Sequence, residues 1–122
     1  MESTQAQTAL EPAIYDRKAL LQQLDGDESI VRELEGSFAG DWPEYEATLR
    51  EAARGGDAKG MEWMAHKVKG SLRVFHAQRA AEWAERIEHY GRQGRAKEAC
   101  LALPALCAEV GLVLQAFQDA RG

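Results

Sequence analysis

At 122 residues, 45% of them apolar and 29% charged, the chain has the length of one domain with a modest core that needs no disulfide or metal staples. A net charge of −5 excludes a scaffold built to neutralise nucleic-acid phosphates, so no nucleic-acid partner is expected. The N-terminus lacks a signal-peptide pattern and no apolar run is expected to reach the ~20 residues of a membrane span, so no membrane insertion is expected.

The composition, rich in alanine, leucine, glutamate and arginine and poor in proline, predicts an all-α fold. Residues 1–13 are polar and unpatterned apart from Pro12, and read as a flexible leader or linker. Asp16 can cap a short helix that ends near Leu24, with Ala19, Leu20 and Leu24 inward. Asp25-Gly26-Asp27 is a turn, and Asp27 or Ser29 opens a second helix carrying Ile30, Val31, Leu34 and Phe38. Gly40-Asp41-Trp42-Pro43 interrupts that pattern, as a kink or as a break with Asp41 capping the resumed helix.

Arg54-Gly55-Gly56-Asp57 ends the second helix and caps the third. Phe75-His76-Ala77-Gln78 is the next boundary, and a fourth helix runs to about Tyr90 with Ala77, Ala80, Ala81, Ala84 and Ile87 inward. Gly91-Arg92-Gln93-Gly94 turns the chain into a last helix, where Cys100, Leu103, Cys107, Val110, Leu114 and Phe117 repeat every three or four residues and Pro104 predicts a kink. Cys100 and Cys107 read as two buried thiols. Short connections between long helices predict an antiparallel four-helix bundle with a short additional N-terminal helix, over residues 14–122.

The third helix carries the chemistry. Met61, Met64, Val68, Leu72 and Phe75 gather on one side, and His66 points the opposite way. Lys59, Glu62, Lys69, Gly70 and Arg73 fall within about 60° of its direction. Glycine inside a helix costs roughly 1 kcal/mol relative to alanine, and close approach of another molecule would explain Gly70. Lys69 lies on the His66 face, where its ammonium can reach an anion attached to the ring. With its side chain facing water, Lys69 should be removable with little change in melting temperature. Glu62, one turn before His66, could accept a hydrogen bond from the ring. Trp63, Met61, Met64 and Trp83 read as core or half-buried packing.

His66-x-x-Lys69-Gly70-Ser71 resembles the signature of histidine-containing phosphotransfer domains, helical bundles that carry a phosphoryl group on histidine between receiver-domain aspartates. The likeness extends from Ile14 to Ala120, including Leu24-Asp25-Gly26-Asp27, Phe38, Pro43 and Gly56-Asp57. It implies that His66 is the phosphoacceptor, through Nε2, and that Lys69 offsets the phosphoryl charge. It also implies that Gly70 belongs to the partner face, where Arg73, Glu62, Lys67 and His76 are expected from their own positions on the helix. The implied partners are receiver domains of a response regulator or hybrid sensor kinase. The implied location is cytoplasmic, free-standing or as the cytoplasmic end of a membrane-bound kinase.

Such a carrier is a stoichiometric intermediate rather than an enzyme. The chain agrees in having no phosphate-cradling glycine loop and no kinase signature. No cofactor and no metal are expected, since the metal ion and acceptor aspartate belong to the receiver, and the isolated domain is expected to be a monomer. After Ser71 the chain departs from many relatives with Leu72-Arg73-Val74-Phe75-His76, which puts bulk and charge beside the docking face. The alternative function is an interaction module that binds a receiver or kinase without carrying phosphate.

Overall fold

Three aspartates start helices. In the computed structural model, which describes residues 12–121, the side chains of Asp16, Asp27 and Asp57 accept from the backbone N–H groups of Ala19, Ile30 and Gly60. They open α1 (Arg17–Gln23), α2 (Glu28–Arg54) and α3 (Ala58–Val74), each satisfying a donor that has no partner inside its helix. The fourth helix, α4 (Gln78–Arg92), starts at Ala77 without a side-chain cap. There the carbonyl of Ala13 accepts from the Arg79 N–H at 3.1 Å, which ties the chain ahead of α1 to the start of α4. The rest of the expected leader, up to residue 11, lies outside the described residues. The last helix, α5, spans Ala96–Arg121.

The first four helices end alike. Gly26, Asp57, Ala77 and Arg95 donate backbone N–H groups to the carbonyls of Leu21, Ala52, Leu72 and Tyr90, five residues back. The residue before each donor is left-handed: Asp25 (φ 54°), Gly56 (65°), His76 (51°) and Gly94 (72°). This is the Schellman termination, which favours glycine because it carries no Cβ penalty. His76 occupies such a position, with its Nε2 3.1 Å from Gln23 Oε1, so its first task is to end α3.

Helices α2 to α5 form the antiparallel four-helix bundle, preceded by α1. Met61, Ala65, Val68 and Leu72 of α3 are fully buried, as are Ala80, Ala84 and Ile87 of α4. One end of the core is aromatic, with the Phe75 and Phe117 rings 5.0 Å apart and Tyr15 edge-on to Phe117 at 5.2 Å. On α5 the buried side is Ala99, Leu103, Leu106, Val110, Val113 and Phe117, while Cys100, Cys107 and Leu114 are only half-buried. Burial pushes the Cys107 thiol up to about 11.

Of the two readings at Gly40-Asp41-Trp42-Pro43, the break is the one the fold does not show. Helix α2 runs unbroken through Pro43, and Asp41 caps nothing. The carbonyl that proline cannot bond belongs to Ala39, and both residues are exposed, so water can satisfy it. By length and composition α5 is apolar enough to cross a membrane, with a window of mean hydropathy 1.9. In the bundle the same helix contributes core.

The α3–α4 pair sets the geometry of the His66 face. Gly91 is not a turn residue: α4 continues through it, and it is buried. A Cβ built there would lie 2.6 Å from the Ala58 carbonyl oxygen and 2.9 Å from the Glu62 backbone nitrogen. Glycine thus lets the C-terminal turn of α4 press against the first turns of α3. At Gly70, by contrast, an added Cβ meets nothing within 4 Å. Gly91→Ala should therefore destabilise the protein by about 1–3 kcal/mol despite alanine's better helix propensity. Gly70→Ala should be neutral or stabilising by up to about 1 kcal/mol. Urea midpoints of the two variants check this; equal midpoints would show that the helices part at no cost.

Candidate functional site

Antiparallel packing of α3 against α4 brings opposite charges into register along the seam. Arg92 Nε stands 3.3 Å from Glu62 Oε2, and Arg73 Nη2 stands 3.4 Å from Glu85 Oε1. Between them lies Glu88, whose side chain is only 5% exposed. Its Oε2 is 2.7 Å from His66 Nδ1 and 2.9 Å from Arg92 Nη2, and its Oε1 is 2.5 Å from Lys69 Nζ. Burial alone would raise the Glu88 carboxyl, but hydrogen bonds and charge from Lys69 and His66 together outweigh it, and the group sits below the usual carboxylate range.

An ionised carboxylate only accepts, so the 2.7 Å contact requires the proton on His66 Nδ1. The neutral ring then has its lone pair on Nε2. That nitrogen has no hydrogen-bond partner among the described residues, on a side chain 70% exposed. The arrangement presents an oriented nucleophile to solvent and keeps its counter-charge beneath it.

Lys69 departs from expectation. Its side chain is 12% exposed and lies in the seam against Glu88, with Glu85 Oε1 at 3.9 Å. It sits about 60° from His66 toward the core stripe, close enough to the α4 boundary for the buried carboxylate to draw it in. Glu62 does not bond the ring and pairs with Arg92 instead. Lys67 turns the other way, toward α2, with its ammonium 5.3 Å from the centre of the Tyr45 ring. Arg73 is exposed beside Glu85, and His76 is held at the end of α3. Ten helical residues separate His76 from His66, about 15 Å along the axis.

Trp63 differs most from its expected place. Expected in or near the core, it is 73% exposed, and with Glu62, His66, Glu88 and Arg92 it lines a cleft of about 340 Å³. Met61 is buried and Met64 and Trp83 are half-buried, as expected. Sequence reasoning does not single out Glu88 or Arg92. A signal for Glu88 exists, since it follows Ala80, Ala81, Ala84 and Ile87 on the inward stripe of α4.

The sequence matches the family model of the Hpt domain over residues 33–120, which takes in most of the chain and the whole α3–α4 seam. The chain belongs to the Hpt domain family. The fold of this Hpt domain is similar to the crystal structure of histidine-containing phosphotransfer protein B from Pseudomonas aeruginosa, with a TM-score of 0.82 and 23% identity over 91% of this chain and 96% of that one. No curated protein matches it in sequence.

The Glu88 cluster gives this Hpt domain a signed pH dependence. A carboxyl held lower in the folded than in the unfolded chain contributes stability above its unfolded value, and that contribution is lost as pH falls through the folded one. Unfolding from pH 6 down to pH 2 should show this loss setting in below about pH 4.5, and Glu88→Gln should flatten that part of the profile. Lys69→Ala, which leaves a buried carboxylate short of a partner, should cost about 1–3 kcal/mol at pH 7. An unchanged melting temperature for Lys69→Ala would show that water replaces the ammonium freely.

Proposed function

We propose that this Hpt domain carries a phosphoryl group on His66 Nε2 between receiver-domain aspartates in a multistep phosphorelay. The observation that carries this reading is the polarised ring: Nδ1 is bound to a buried carboxylate, and Nε2 is left bare on an exposed side chain. In the transfer the Nε2 lone pair attacks the phosphorus of a receiver's aspartyl phosphate in line. An N–P bond forms, the acyl O–P bond breaks, and the electron pair leaves with the receiver's aspartate. The ring keeps its Nδ1 proton and becomes positively charged, which Glu88 offsets through the hydrogen bond already present. The reverse sequence delivers the group to the next aspartate.

Lys69 acts in the same cluster, holding Glu88 ionised and adding positive charge under the phosphoryl group. Gly70 leaves room for the receiver's loops, and Glu62 and Arg73 flank it. Lys67, turned toward α2, and His76, at the end of α3, stand at the margins of the docked partner. Binding and orientation are the domain's contribution, and the phosphoryl group is handed on rather than turned over. The domain works as a monomer in the cytoplasm, alone or as part of a hybrid kinase.

Incubation with phosphorylated receivers should transfer label to wild type in acid-labile, base-stable form. His66→Gln should abolish the label while leaving the melting temperature within a few degrees. Label that persists in this variant overturns the assignment. No label on wild type, with receiver binding retained, would favour the interaction module.

A further inference from the structure

Trp63 is the largest side chain on the surface of α3, and the fold makes no use of it. At 73% exposed it is absent from the core, and among the described residues it enters no aromatic or cation–π pair. The other two tryptophans are engaged. Trp42 packs against Phe38, and Trp83 lies under the Arg86 guanidinium at 4.3 Å. Burying an indole removes more apolar surface from water than almost any other residue, so one left in solvent is informative when its surroundings suit a partner.

Its surroundings do. Trp63 precedes His66 by one turn and lies about 60° from it around the helix, and Gly70 is still closer in direction, two turns on. The Trp63 indole, the His66 ring and the open ground at Gly70 therefore form one outward strip, with the cleft of about 340 Å³ beneath the first two. Formal charge on the helix is cationic. On a chain of net −5, α3 carries Lys59, Lys67, Lys69 and Arg73 against the single carboxylate of Glu62. Lys69 and Arg73 are already paired with Glu88 and Glu85, and Lys67 leans toward Tyr45. It is therefore the position beside the bare His66 ring, more than net charge, that matches Trp63 to the partner that meets that ring.

We propose that Trp63 is the anchor of the receiver-domain interface: its indole fills an apolar recess on the receiver next to the acidic centre that meets His66. The inference rests on the phosphotransfer reading for the identity of the partner. It adds the residue that supplies affinity, distinct from the residues that perform transfer. Interfaces concentrate binding energy in a few such side chains, with tryptophan prominent among them. The open ground at Gly70 is then covered as the receiver settles along the strip.

The test uses the full chain and the isolated receiver domains of its own cell. Binding is measured by calorimetry, and transfer by single-turnover labelling over a range of receiver concentrations. Trp63→Ala should melt as wild type does and weaken receiver binding at least tenfold. It should raise the half-saturating receiver concentration by a similar factor and leave the limiting transfer rate within about threefold. Trp63→Phe should recover part of the affinity. Affinity that falls in Trp63→Ala while the limiting rate holds separates anchorage from chemistry. Wild-type affinity in Trp63→Ala overturns the proposal, as does a failure of wild type to bind any receiver. Trp63-dependent binding without label on His66 upholds the anchor and removes the carrier reading instead.

Discussion

A buried carboxylate between two helices organises the molecule's functional face. Glu88 is on the inward stripe of α4, where an unpartnered charge would be expensive, and it is tolerated because Lys69, His66 and Arg92 all bond to it. The same contacts choose the His66 tautomer, draw Lys69 out of solvent, and hold Arg92 over the cleft. Stability and reactivity are thus coupled through one side chain. A change there is expected to alter folding and, on the phosphocarrier reading, transfer as well, and the two effects separate only when they are measured independently.

Most of the architecture can be read from residue order alone. Asp16, Asp27 and Asp57 announce helix starts through local chemistry, and Gly56 and Gly94 announce ends, because these choices depend on the backbone within a few residues. The outward direction of His66 comes from helical periodicity in the same way. Features that escape prediction depend on which neighbour lies across the seam. A helical wheel places Lys69 beside His66 but knows nothing of Glu88, twenty-two residues after the ring it holds. Residue type assigns Trp63 inward although its angle on the helix points outward, an error of hydrophobicity over geometry. Pro43 leaves kink and break both open when its lost hydrogen bond is weighed without knowing that the freed carbonyl faces water.

His76 shows how one residue serves a structural role while standing near a functional face. Its left-handed backbone ends α3, and its ring reaches Gln23 at the end of α1. Helix α3 therefore stops after the aromatic end of the core has been met by Phe75, and α4 turns back at once. That abrupt reversal aligns the two helices so that Arg73, Lys69 and Glu62 of one meet Glu85, Glu88 and Arg92 of the other in reverse order.

The close approach at Gly91 bears on how such a domain can diversify. Spacing between α3 and α4 is set by backbone against backbone, where the only requirement is the absence of a side chain. The spacing that brings Glu88 to the ring is consequently independent of substitutions on the outward strip. A duplicated copy of this gene could exchange residues at Trp63, Lys67 or Arg73 and acquire a different partner while keeping its histidine competent. A single methyl group at Gly91 would disturb every descendant alike. Freedom on one side of the helix is secured by rigidity on the other.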